Sequence, residues 1–403
     1  MIKEDLLSRK GFCILPFVHS CVFQDGSAQA CCINHLNFGN TTVQSLEEIY
    51  SNKNKKLTDF RKDFLGNSLP ASCVKCEDIE DKYNGLSYRN ASNNLYGYLL
   101  NHIDIGNEET LINNEKIFLW DIRFSNLCNL KCLICRPTDS SRIAEEEEEG
   151  KLISAFNTVD DFVVAFEKQI DNIVEINFAG GEPLLIKDHY KILELLIKYE
   201  KFNVILRYNT NGTTISLGNK DVIEYWKYFK NVNVNVSLDA GGKQFEYLRY
   251  GGDWEIVLQN LRRIRYFSPH VNLAVNIVIM ALNVLYIRQL YEFLVDEQLI
   301  TDGGLNFIPV YGKDYYMVNV LPNNLKEKVL KYYQDWEDSL NNSPDTHSSV
   351  IPSIRMVKNM ITNDKDTSYN LSELKKHTLI KDKIRGTNFY ETFPELKDIF
   401  KDI

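Results

Sequence analysis

The sequence predicts an α/β protein: a partial or open barrel of six strand–helix units, preceded by a cysteine-rich segment and followed by a mainly helical region. Three observations lead there. Residues 117–310 alternate short strand-like runs with amphipathic stretches of helical spacing. Residues 1–80 hold six of the nine cysteines, and residues 311–403 hold none.

The six strand candidates are Ile117–Phe124, Ile173–Ala179, Phe202–Asn209, Val232–Leu238, Val271–Met280 and Leu305–Val310. Between them, His189–Lys201, Lys220–Lys230, Trp254–Phe267 and Val284–Glu297 read as helices. Such alternation implies parallel strands joined by right-handed crossovers. Packed parallel strands usually read as continuous apolar runs, yet these alternate. Asp121 and Arg123 share a face, as do Glu175 and Asn177, Arg207 and Asn209, Asn233, Asn235 and Ser237, and Asn272 and Asn276. The other face carries Ile176, Phe178, Leu206, Val234, Val236, Val275 and Ile277, which suit burial under helices. An ordinary barrel fills its interior with Val, Ile and Leu. A polar interior points to a cavity for a polar ligand, with Asp121, Arg123, Glu175, Asn177, Arg207 and Asn235 as substrate candidates. The competing reading is a salt-bridge network closed on itself, Arg123 or Arg207 with Asp121 or Glu175.

A chain of 403 residues suggests two or three domains. We expect a cysteine-rich domain at 1–80, a linker at 81–116, the barrel at 117–310 and a helical region at 311–403, broken by turns such as Asn341–Pro344. A hydrophobic content of 44% supports a large core, and no apolar run is long enough to span a membrane. The N-terminus lacks a secretory apolar stretch, so a cytoplasmic location is expected. In a reducing compartment, clustered thiols favour metal binding or catalysis over disulfides, and an odd count of nine pairs poorly. A net charge of −9 argues against non-specific binding to a nucleic-acid backbone, without excluding a nucleotide-sized substrate. The acidic run Glu145–Glu149, beside Arg142 and Lys151, reads as a solvated helix face. Asp382, Arg385 and Phe393–Leu396 read as packing and capping rather than catalysis.

Cys128, Cys132 and Cys135 lie in one short loop. Three thiolates can hold three irons of a 4Fe–4S cluster and leave the fourth open. Taken alone they also suit zinc with a distant fourth ligand, or buried thiols. Gly180-Gly181-Glu182-Pro183 ends the second strand, Thr210-Asn211-Gly212-Thr213 the third and Ser237-Leu238-Asp239 the fourth. All fall at carboxyl ends of strands, where barrel active sites are built.

This combination resembles the radical S-adenosylmethionine (SAM) superfamily. The resemblance implies that SAM chelates the open iron. It also implies that Gly180, Gly181 and Glu182 hold its ammonium and that Ser237 meets its ribose. Asn211 belongs to the matching Thr-Asn-Gly turn, Arg249 is placed to pair with the SAM carboxylate by its two-pronged geometry, and Asn276 is a weaker candidate at the adenosine end. Many members have an aromatic residue before the third cysteine; here it is Ile134, which implies altered packing around adenine. Cys13, Cys31, Cys73 and Cys76, with Gly26 between the first pair, resemble the twitch or SPASM accessory domains that carry an auxiliary 4Fe–4S cluster. Those domains usually follow the core, whereas this one precedes it. Taken alone, two cysteine pairs also suit zinc. Cys21 and Cys32 are left as spare ligands, hydrogen-atom donors or buried thiols.

The resemblance implies reductive cleavage of SAM to a 5′-deoxyadenosyl radical, driven by an external donor of flavodoxin or ferredoxin type, and abstraction of a substrate hydrogen atom. An auxiliary cluster ligated by four cysteines would accept or relay an electron. The favoured substrate is a peptide or protein side chain, modified oxidatively. The alternative is dehydrogenation, epimerisation or rearrangement of a small polar metabolite such as a sugar or nucleotide. A non-catalytic iron–sulfur or zinc protein is the reading from another class.

Overall fold

The computed structural model describes residues 3–66, 68–83, 87–148, 150–342, 348–362 and 367–401; Glu149, Ser343 and Pro344, named above, lie outside them. The strands, in chain order, are β1 (His19–Val22), β2 (Ser27–Gln29), β3 (Asn37–Asn40), β4 (Leu119–Ile122), β5 (Lys131–Cys132), β6 (Glu175–Phe178), β7 (Ile205–Thr210), β8 (Ser216–Leu217), β9 (Lys220–Asp221), β10 (Val232–Ser237), β11 (Arg249–Tyr250), β12 (Asn272–Ile279) and β13 (Leu305–Pro309). The chain divides into two compact units, one of residues 1–128, 137–209 and 216–232, the other of residues 129–136, 210–215 and 233–403.

In the first unit β1, β4, β6 and β7 run parallel, and β2 and β3 continue antiparallel beyond β1. The cysteine-rich segment therefore adds a strand directly to the core sheet. The register places Cys21, Asp121, Asn177 and Arg207 in one row across four strands. Beneath the opposite face, Trp120 packs edge-on against Phe162 and Phe166, and Phe178 and Trp226 flank Tyr208. Each such ring, fully buried, contributes roughly 1.5–3 kcal/mol. The expected strand from Phe202 starts later, at Ile205, because a turn closes from Val204 N–H to the Lys201 carbonyl. The helix expected over Lys220–Lys230 shortens to Val222–Trp226, since β8 and β9 form a hairpin and Asp221 caps the helix.

Residues 81–116, expected as a linker, are a correction. They contain the helix Tyr88–Tyr96, a 3-10 segment Gly97–His102 and the helix Glu108–Ile112. Buried Asn93 accepts from Ile14 N–H at 2.9 Å and donates to the Phe12 carbonyl at 3.0 Å. Arg89 donates to the same carbonyl and pairs with Glu80. A polar side chain is buried only where its hydrogen bonds are met, so these residues brace the backbone on both sides of Cys13.

In the second unit β10, β12 and β13 are parallel, with strict alternation of buried and half-buried residues along β10. Val234, Val236, Val275 and Ile277 are fully buried, under the helices Trp254–Phe267 and Ile287–Asp296, whose Leu261 and Leu294 are equally buried. The C-terminal region is helical: Asn323–Asn341, Ile351–Thr362, Leu371–Arg385 and Phe389–Thr392. As expected for packing and capping, Asp382 accepts from Thr387 Oγ1 and Phe389 N–H, and Phe393 sits against Tyr247 and Tyr286. Of the acidic run, Glu145 and Glu146 lie on the helix Ser141–Glu146, Glu147 caps it, and Arg142 pairs with Glu145 in solvent. Among the described residues no helix is long and apolar enough to cross a membrane. All nine cysteines are free of disulfides.

Asn93→Ala leaves the buried Ile14 N–H unpaired and should cost about 1–3 kcal/mol. Urea denaturation measures this, and an unchanged midpoint would contradict the bracing role.

Candidate active site

The cysteine loop holds little regular structure of its own, and neighbouring turns fix its backbone. In the first unit, Asn126 is buried and threads the loop base: it donates to the Pro137 carbonyl at 3.0 Å and accepts from Ile153 N–H at 2.9 Å. Buried Cys128 donates its N–H to Ser141 Oγ, which returns a bond to the Cys128 carbonyl. Two residues of the glycine-rich turn join this base directly. Gly181 N–H donates to the Ser125 carbonyl at 3.0 Å, and Glu182 N–H to the Leu127 carbonyl at 2.7 Å. Gly180 sits at φ +113°, where only glycine is comfortable. A Cβ on Gly181 would run into the Leu127 carbonyl and stand 2.6 Å from the Asn126 carbonyl carbon. The sequence reading assigned these glycines to close approach of a ligand. The structure shows Gly181 making a close approach to the protein's own backbone.

Glu182 also has a structural role. Its side chain is fully buried and caps the turn Pro183–Leu185 by accepting from Leu184 N–H at 3.1 Å. The turn thus spends that carboxylate oxygen on its own geometry.

In the second unit, Asn211 donates to Asn129 Oδ1 at 2.9 Å, and Asn129 donates to Thr213 Oγ1 at 2.8 Å. The Thr-Asn-Gly turn therefore grips the residue after the first cysteine. Cys132 in β5 pairs antiparallel with Arg249 in β11, and Leu133 N–H donates to the Leu248 carbonyl. Arg249 is buried: one nitrogen lies 3.7 Å from Cys132 Sγ and another 2.8 Å from Asp239 Oδ2. Asp239 accepts from Val278 N–H as well, and its carbonyl accepts from Asn283. Burial pushes the Asp239 carboxyl upward and Arg249 pulls it back. The Cys132 thiol falls below the usual thiol range through its hydrogen bond with Cys135, opposed by burial and helped by Arg249. A group that favours the thiolate favours metal ligation. Arg249 Nε is buried without a partner, a donor that suits an anion such as a carboxylate. Arg249 is therefore not a surface arginine: its primary partner is Asp239, a residue the sequence reading gave no separate role.

The polar strand faces are paired. Arg207 makes a two-pronged contact with Glu175, which also accepts from Tyr96; Arg123 pairs with Asp121; Asn209 donates to Asn177. In the second unit, Asn272 donates to Asn233, and Asn306 donates to both Asn235 and Asn276. Ser237 is half-buried at the end of β10, in register with Asn276. The network closed on itself is what these charges form, a correction to the reading of the charged positions as open ligand contacts. The Asp121 Oδ1 and Arg123 Nε atoms remain buried without partners.

Cys13, Cys31, Cys73 and Cys76, from three segments of the sequence, line one pocket with Asn34, Tyr88 and Arg89. Asn34 Nδ2 lies 3.4 Å from Cys73 Sγ. Burial raises all four thiols, Cys31 to about 12. Among the described residues, no three His, Cys, Asp or Glu side chains converge as a single-ion site. A four-iron cluster does not ask for that, since each thiolate takes its own iron. Cys21, buried in β1, lies 3.7 Å from Asp121 Oδ2, and half-buried Cys32 sits next to Cys31.

Residues 122–294 match the radical SAM superfamily model, and residues 13–77 match SPASM, described as an iron–sulfur cluster-binding domain. A probable GTP 3′,8-cyclase from Methanocaldococcus jannaschii is 28% identical over 218 residues, 52% of this chain and 66% of that one. A GTP 3′,8-cyclase from Clostridium botulinum is 24% identical over 239 residues, 59% of this chain and 66% of that one. The chain thus spans just under two thirds of the length of these curated relatives. Among solved structures, anSMEcpe with bound AdoMet is 18% identical with a TM-score of 0.42, covering 56% of this chain and 60% of its own. Streptococcus suis SuiB bound to precursor peptide SuiA is 14% identical with a TM-score of 0.39, covering 79% and 70%.

Gly181→Ala should force the turn off the cysteine loop, at a cost of roughly 1–3 kcal/mol. A lowered denaturation midpoint together with weakened SAM binding is expected. Wild-type values for both would contradict the close approach.

Proposed function

We propose that this chain, a member of the radical SAM superfamily with an iron–sulfur cluster-binding SPASM domain ahead of its core, oxidatively modifies a peptide or protein side chain. The observation that carries the oxidative reading is the convergence of Cys13, Cys31, Cys73 and Cys76 on one cavity. Four protein ligands fill a cluster and leave no iron open to substrate. Such a centre serves best as an electron acceptor.

The residues that would hold the catalytic cluster are Cys128, Cys132 and Cys135, with an open iron for SAM. When bound and reduced by an external one-electron donor, the pair supplies a 5′-deoxyadenosyl radical that takes a hydrogen atom from a substrate C–H bond. The protein's own contribution is position and charge. Arg249 favours the thiolate of Cys132 and offers Nε to an anion. Asn211, through Asn129, and Gly181, through Ser125, hold the loop that carries the cysteines. Cys13 is held from both sides by Asn93.

The substrate preference rests on the SPASM match and on the paired charges. A nucleoside triphosphate calls for cations available to phosphate, whereas Arg123 and Arg207 are each committed to a carboxylate. A second reading, a small polar metabolite such as a nucleotide, draws on the GTP 3′,8-cyclase relatives and on the asparagine ladder of Asn233, Asn235, Asn272, Asn276 and Asn306.

The test is deoxyadenosine formation by reduced, reconstituted protein given peptide mixtures, GTP or sugar nucleotides. Stimulation by peptides, with loss of two hydrogens from the product mass, is expected. Stimulation by GTP alone would favour the second reading. Replacing Cys128, Cys132 and Cys135 by Ala should abolish SAM cleavage. Replacing Cys13 and Cys31 should leave SAM cleavage and remove the oxidised product. If the second pair of changes left product yield intact, the oxidative role would fall.

A further inference from the structure

The helical C-terminal region carries no motif, yet it reaches the cysteine loop through a half-buried lysine. Lys313 follows β13, and its ammonium donates to the carbonyl oxygens of both Leu133 and Cys135, each at 2.9 Å. The segment that carries it is pinned. Tyr316 accepts Ala281 N–H at its carbonyl, and its hydroxyl meets His377 Nδ1 at 2.8 Å, from the helix Leu371–Arg385. The same helix makes a second link: Tyr250, in the strand paired to the cysteine loop, donates to the Arg385 carbonyl at 3.0 Å, and the Arg385 guanidinium lies 5.1 Å from the Tyr250 ring centroid. Arg249 adds its own contact, 3.7 Å from Cys132 Sγ.

We infer that Lys313 is a positioning residue for the catalytic cluster: it fixes the Leu133–Cys135 turn and sets a positive charge beside it that eases reduction of the cluster. The inference rests on the proposed assignment of Cys128, Cys132 and Cys135 as cluster ligands. Its physical basis is simple. A cluster gains negative charge on reduction, and a fixed cation nearby stabilises the reduced form, because charge and hydrogen bonding around a cluster set its potential. Bonds to two carbonyls hold the ammonium at the loop. In this account the C-terminal helix is a buttress: His377 holds Tyr316, the Tyr316 segment holds Lys313, and Lys313 holds the turn.

Two substitutions separate clamp from charge. Lys313→Gln keeps donors for carbonyls and removes the charge; Lys313→Met removes both. The full chain is reconstituted anaerobically, its iron and sulfide are measured, and the SAM-responsive cluster is titrated by EPR against potential. We expect Lys313→Gln to load iron as the wild type does and to titrate at a more negative potential. Lys313→Met should match that shift and load less iron, and Lys313→Arg should restore the wild-type potential. Should Lys313→Met fail to fold, Lys313→Gln and Lys313→Arg still carry the comparison. A wild-type potential in Lys313→Gln, with full iron, would overturn the electrostatic role. A wild-type protein with no iron dependent on Cys128, Cys132 and Cys135 would instead overturn the functional reading on which this inference stands.

Discussion

The cysteine loop has almost no structure of its own to rely on, and that constraint organises what surrounds it. Only Lys131–Cys132 forms a strand, two residues long. Other fixed points are supplied from outside: Gly181 and Glu182 bond the carbonyls ahead of Cys128, Asn211 bonds Asn129, and Lys313 bonds the carbonyls of Leu133 and Cys135. A ligand loop must hold its thiolates in position before the group arrives, because loop ordering otherwise comes out of the binding free energy. Strand-end turns are well suited to this. The strands that carry them are anchored by fully buried residues such as Ile176 and Leu206.

Buried charge is the second organising feature. Arg249 and Asp239 are both nearly excluded from solvent, and a pair in that setting gains little net stability over an apolar one. Its value lies in what the arginine does besides: it points at Cys132 Sγ while Asp239 locks it to the backbone of β12 through Val278. Breaking the pair from either side would leave an uncompensated charge in the interior, which costs far more than the pair contributes.

Much of this was legible in the sequence. Alternation along Val232–Leu238 gave the strand and its buried face, because side-chain direction depends only on local backbone. Cys13, Cys31, Cys73 and Cys76 were picked out of six N-terminal cysteines by their resemblance to an accessory domain, and all four line one pocket. Other parts were not. The choice of Glu175 over Asp121 as the partner of Arg207 depends on strand register, so the sequence named the network only as the competing reading. The partner of Arg249 is Asp239, ten residues earlier but brought back by a positive-φ turn at Asp239 itself. Lys313 is separated from Cys135 by 178 positions, and nothing in a surface-like Gly-Lys-Asp stretch marks a side chain that folds back on a distant loop. Asn93 was hidden likewise, inside a segment that read as linker.

The most direct test counts iron, sulfide and zinc in anaerobically reconstituted protein, wild type against a variant with Cys128, Cys132 and Cys135 all replaced by Ala. Roughly eight irons in the wild type and about four in the variant would establish an open cluster in the core and a fully ligated one in the N-terminal segment. One zinc in place of the second cluster, or an iron count that the variant does not change, would contradict the account.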